Sequence, residues 1–169
     1  MEEFDQIILE LTNMPNWLSK RITPQRDMTR LNRPAERGEW SVRDIVAHLR
    51  DTEARYFPKM HLISIAQVPD LRRVEQIGPT EYDRDDSAFV VMSQFRRVRQ
   101  STLSLLRELP RDGWKRSGVD VDNVTVSIRD LALELVDHDA EHLAQIDAVL
   151  IARGALPHGV RPLVAVEVG

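Results

Sequence analysis

The chain contains no cysteine in 169 residues. That absence excludes a thiol nucleophile, a thiolate-held metal and an iron–sulfur cluster, so any bound metal must sit on His, Asp or Glu. It also removes the disulfide framework of a small secreted domain and favours a reducing compartment. No apolar run approaches the roughly 20 residues that cross a bilayer, and no membrane partner is expected. The opening residues, Met1-Glu2-Glu3-Phe4-Asp5, are acidic where a secretory leader would be basic, which points to the cytoplasm. Excess positive charge is missing as well. A formal net charge of -4 gives phosphate backbones little to attract, so no nucleic-acid partner is expected. There is no repeat and no low-complexity tract, and residues 1–169 read as a single domain with enough chain to bury one core.

What is present is helical periodicity, and no convincing alternating strand accompanies it. Phe4, Ile7, Ile8, Leu11, Met14 and Leu18 recur at spacings of three and four, with Pro15 expected to kink the helix or to break it before a short piece through Ile22. Residues 23–39 read as a loop. Ser41 caps a second helix with Asp44 three residues on, and Trp40 is expected to pack back onto Ile45 as a staple. The inward stripe of this helix reads Ile45, His48, Leu49, Thr52 and Tyr56, with Pro58 kinking or ending it and Met60 to Ala66 able to continue the helical path. Residues 67–85 carry Pro69, Gly78 and Pro79 and no period, so they form a long connection that permits a crossover. A third helix spans about Asp86 to Leu109, followed by a loop over Arg111 to Thr125. The fourth begins at Ser127 with Asp130 behind it. Its seam steps through Ile128, Leu131, Leu135, His138, His142, Ile146 and Val149 until Gly154 closes it.

Two histidines four residues apart on a buried seam are stacked neighbours, about 5–6 Å apart at Cβ, and can converge on one cation. A buried imidazole must satisfy two ring nitrogens, and a shared metal would serve His138 and His142 together. His48 is the natural third ligand, since it lies on the inward stripe of another helix. Three neutral donors would leave coordination positions open, the pattern of a catalytic site. The alternative is three hydrogen-bonded core histidines and no metal. The Glu of the HExxH protease motif is absent; Asp139 stands in its place. Among other features, Arg99 lies near the Phe95 and Leu103 face, where it could hold a substrate carboxylate or simply snorkel to solvent. His61 and His158 read as surface residues.

The segment Gly38-Glu39-Trp40-Ser41-Val42-Arg43-Asp44-Ile45-Val46-Ala47-His48-Leu49 resembles the second-helix motif of the DinB/YfiT-like superfamily. The segment His138-Asp139-Ala140-Glu141-His142-Leu143-Ala144-Gln145-Ile146 is similar to its fourth-helix motif. The resemblance covers about residues 5 to 152. It implies an all-α, up-down-down-up four-helix bundle and a metal site, usually read as zinc or nickel, on His48, His138 and His142. Characterised relatives include transferases dependent on mycothiol or bacillithiol. The implied function is a metal-dependent thiol S-transferase or related hydrolase, with a small-molecule thiol and an electrophilic substrate as partners. The thiol must come from outside a chain without cysteine. Asp51 and Gln145, one turn from His48 and His142, are candidates to orient the imidazoles. Two other readings stand beside this one. The bundle could carry a structural metal or none and serve binding or dimerisation, since such bundles often pair as homodimers. A role in DNA damage rests only on the superfamily's historical name.

Overall fold

The computed structural model describes residues 2–76 and 83–163, so Gly78 and Pro79 of the expected crossover lie outside the described residues. Four long helices, α1 (Glu3–Ile22), α3 (Val42–Ile65), α4 (Ala88–Glu108) and α5 (Ile128–Ala152), carry the fold. A single turn, α2 (Thr29–Asn32), interrupts the first loop and buries Leu31.

The core shows which way each helix runs. One apolar cluster joins Met14, Leu18 and Ile22 at the end of α1 to Val42, Ile45 and Leu49 at the start of α3. The same cluster takes Val91 and Phe95 from the start of α4, and Leu143, Ile146 and Leu150 from the end of α5. The second cluster joins the opposite halves, Ile7 with Met60 and Ile63, Leu103 with Leu106, and Leu131 with Leu135. The order is therefore up, down, down, up. Each of α1 and α3 packs against both α4 and α5, which sets α3 antiparallel beside α5.

Local chemistry explains where the helices begin. Ser41 and Ser127 each accept from the backbone N–H three residues on, and Asp44 and Asp130 reciprocate to the cap amides. These two capping boxes satisfy donors that the first turn of a helix leaves free. Gly154, at φ +62°, closes α5 in the left-handed region that a side chain would disfavour.

α1 runs on through Pro15 and α3 through Pro58 to Ile65, so neither proline ends its helix and the residues after Pro58 continue the helical path. Other expectations change. The Arg111–Thr125 loop contains a hairpin, β1 (Ser117–Val119) with β2 (Thr125–Ser127), paired Ser117 to Ser127 and turned by Asp122 and Asn123 at positive φ. Three-residue strands are too short to show alternation, so the sequence pattern missed them. Trp40, at the entry to α3, lies over two histidines and stays 43% exposed. Among the described residues, no helix is long and apolar enough to cross a membrane.

Candidate metal centre

His48 sits in the second turn of α3, and the antiparallel packing of α3 on α5 sets it opposite His138 and His142. The three ring centroids are 4.9 Å (His48 to His138), 4.7 Å (His48 to His142) and 4.3 Å (His138 to His142) apart. One ligating nitrogen from each ring lies within 4.8 Å of the others. Nε2 of His48 and Nε2 of His138 face each other at 2.9 Å.

The protonation chemistry suits a cation. Nδ1–H of His142 donates to Oε1 of Gln145 at 2.8 Å, which makes Nε2 the nitrogen available to a cation. Between the Nε2 atoms of His48 and His138 there is room for one shared proton at most. Burial lowers the pKa of His48, and the charge of His142 lowers it further. His138 is pushed down to about 4, first by burial and then by the neighbouring His142 and His48. Both rings are therefore neutral donors near pH 7. Three ring nitrogens converge, two of them on rings held neutral, and a divalent ion fits that donor set.

The sequence candidates separate here. Gln145 does hold an imidazole. Asp51 does not; it accepts from Nε of its neighbour Arg50 at 2.9 Å, and His48 is not among its hydrogen-bond partners. Arg99, expected as a substrate-binding or snorkelling residue, is fully buried. Its fork donates to both carboxylate oxygens of Glu53, to both of Asp139 and to the carbonyl of Leu11, at 2.8–2.9 Å. All five N–H groups are used, so none remains for a substrate. Asp139, between two of the histidines, turns away from them onto this guanidinium. Burial raises its carboxyl to about 6; Arg99 alongside opposes the rise, and the charge of Glu53 adds a smaller upward push. For Arg99 itself burial opposes the charge, but Glu53 and Asp139 outweigh it and raise its pKa.

Two features were missed. Trp40 places its ring 5.0 Å from that of His48 and 6.4 Å from that of His142, forming one wall of the centre. The Glu53–Arg99–Asp139 triad lies beneath it. Its signal was available, since Glu53 and Arg99 each fall four residues after a core residue, Leu49 and Phe95. His61 and His158 are exposed and take no part.

Residues 12–146 match the DinB superfamily. A Bacillus pumilus (strain SAFR-032) protein named "Putative metal-dependent hydrolase" is 24% identical over 151 residues, covering 88% of this chain and 86% of that protein. The solved structure of YfiT from Bacillus subtilis, described as "a probable metal-dependent hydrolase with an unusual four-helix bundle topology", superposes with a TM-score of 0.74 at 21% identity. That likeness covers 91% of this chain and 90% of the other, and it shows the shared fold.

Proposed function

The chain belongs to the DinB superfamily, and from that premise we propose that it is a metal-dependent enzyme working through a divalent ion on His48, His138 and His142. The carrying observation is the convergence of three imidazole nitrogens within 4.8 Å, drawn from two helices and not filled by any carboxylate. When bound, the ion would supply Lewis-acid activation of a small nucleophile, a thiol or water. Zinc and nickel both suit imidazole donors.

The chain's own residues do the rest. Gln145 holds the His142 ring with its Nε2 outward. Trp40 covers one side of the histidines and restricts water there. The triad beneath anchors α3, α4 and α5 to one another, which fixes His48 relative to His138.

Two finer readings differ in the nucleophile. In the first, a low-molecular-weight thiol of the mycothiol or bacillithiol kind attacks an electrophile, making the protein an S-transferase. The family resemblance of the two histidine motifs supports it, and the missing cysteine requires the thiol to come from outside. In the second, water attacks and the protein is a hydrolase, which the names of the two Bacillus relatives favour. Metal analysis of the purified protein tests the shared core: stoichiometric metal that is lost in His142→Ala supports it, and metal-free protein defeats it. Turnover of an activated aryl halide only when thiol is added selects the transferase; thiol-independent cleavage of an activated ester selects the hydrolase.

A further inference from the structure

A cleft of about 760 Å³ opens beside the histidines, between the loop before α3 and the last three turns of α5. His142 and Gln145 form its inner end, and Trp40 stands at its side. His142 is only 8% exposed, yet it lines this cleft together with Gln145, the residue that its Nδ1 faces. Alanines at successive turns of α5, Ala144, Ala148 and Ala152, leave the space open.

The charge of the lining is one-sided. Glu36, Glu39 and Glu141 line the cleft, and no Lys or Arg does. Some exposed acids elsewhere are matched to arginines, as Glu3 is to Arg129, Asp70 to Arg72 and Asp27 to Arg30, whereas Asp5, Glu108 and Asp137 stand singly; three unmatched acids share a lining only here among the cavities described. The three cleft glutamates have no ion-pair or hydrogen-bond partner through their side chains among the described residues. Arg55, the cation whose charge reaches His48 and His138, belongs to a different cavity with Tyr56 and Lys59. Low-dielectric walls of alanine and tryptophan focus the field of the three carboxylates into the cleft. The exposed face of Trp40 adds the π surface that attracts an ammonium group.

We propose that this cleft binds a substrate carrying a cationic ammonium group on a short apolar body, with its reacting end at the histidines. The inference rests on the reading of the histidines as the reactive centre and names the substrate class of that centre. A substrate whose nearest charge is a carboxylate or sulfonate meets repulsion from Glu36, Glu39 and Glu141 and is disfavoured. Because these carboxylates are exposed, each contributes about two- to fivefold to affinity, and the effect weakens as salt rises.

Isothermal titration calorimetry on the protein as purified tests the proposal with three probes of one length: hexyltrimethylammonium, hexan-1-ol and hexane-1-sulfonate. A quaternary ammonium cannot ligate a metal, so its binding reports the cleft alone. The expected result is binding of hexyltrimethylammonium about tenfold or more tighter than hexane-1-sulfonate at low salt, with hexan-1-ol between them. In the triple variant Glu36→Gln, Glu39→Gln, Glu141→Gln the preference collapses, while metal content and unfolding midpoint stay as in the parent. Equal or tighter binding of the sulfonate by the parent overturns the proposal, as does a triple variant that keeps the full preference. The metal content is read on the same samples. Protein that holds metal but lacks the cation preference defeats the cleft assignment alone; protein that prefers the cation but holds no metal defeats the enzyme reading.

Discussion

Arg99 of α4 donates Nη1–H to the carbonyl of Leu11 at 2.9 Å, the carbonyl that Pro15 leaves without a helical donor. An α-helix pairs each carbonyl with the N–H four residues on, and proline at that position has none. The interruption in α1 is thus filled from another helix. The same guanidinium holds Glu53 of α3 and Asp139 of α5, so one side chain ties all four long helices together in the layer beneath the histidines. Replacing it should be costly. Arg99→Met leaves two buried carboxylates facing each other and is expected to destabilise by about 3–5 kcal/mol in urea unfolding. Arg99→Lys keeps the charge but lacks the fork, and should recover only a small part. An apolar triple replacement of Glu53, Arg99 and Asp139 should be more stable than Arg99→Met alone, since it removes the stranded charges.

The link between Pro15 and Arg99 makes a separate prediction. In the parent, Pro15→Ala brings an N–H that competes with Arg99 for a carbonyl already satisfied. In an Arg99→Met background the same N–H fills a vacant acceptor. Pro15→Ala should therefore stabilise the Arg99→Met protein more than the parent, with a coupling of about 1 kcal/mol in a double-mutant cycle. Additivity within experimental error would show that the two residues are independent.

This pair also shows where sequence reading reaches its end. Caps and seams are local, so Ser41 with Asp44, Ser127 with Asp130 and the α5 stripe were legible from spacing alone. Continuity of α1 through Pro15 was not, because its compensating donor lies 84 residues further along the chain, counting from Pro15 to Arg99. A lone arginine in an apolar seam reads equally well as a snorkelling residue or a ligand; only the position of Glu53 and Asp139 decides that it is neither. Asp51 and Gln145 each stand three residues after a histidine, and spacing could not separate them. Length and neighbours did: the short Asp51 carboxylate is taken by Arg50, whereas Gln145 reaches the His142 ring.

The capping box of α5 carries a pH-dependent contribution. The Ser127 backbone amide, followed by the Ser127 side chain, holds the Asp130 carboxyl below its ordinary value of 3.8. A carboxylate depressed on folding stabilises the native state above its unfolded value and loses that contribution as pH falls through the lower folded value. Ser127→Ala should cost about 1 kcal/mol at pH 7. The difference between parent and Asp130→Asn should shrink as pH is lowered from 5 towards 2, and thermal unfolding across that range would show it. A difference that grows on acidification would contradict the assignment.

At the histidines, orientation should matter nearly as much as ligation. His142 presents Nε2 to its partners because Gln145 takes up Nδ1–H at 2.8 Å. Gln145→Leu removes that acceptor without removing a ligand, freeing the imidazole to change tautomer and rotate. Loss of such a supporting partner typically weakens metal affinity about 10–100-fold. Competition with a chromophoric chelator should show that loss in Gln145→Leu, complete loss in His142→Ala, and none in Asp51→Asn, whose carboxylate is engaged elsewhere. Unfolding of the metal-free proteins supplies the control, since Gln145→Leu and its parent should then unfold at nearly the same denaturant concentration. Should Asp51→Asn weaken metal binding as much as Gln145→Leu, the hydrogen bond to Nδ1 would not be what holds the ring.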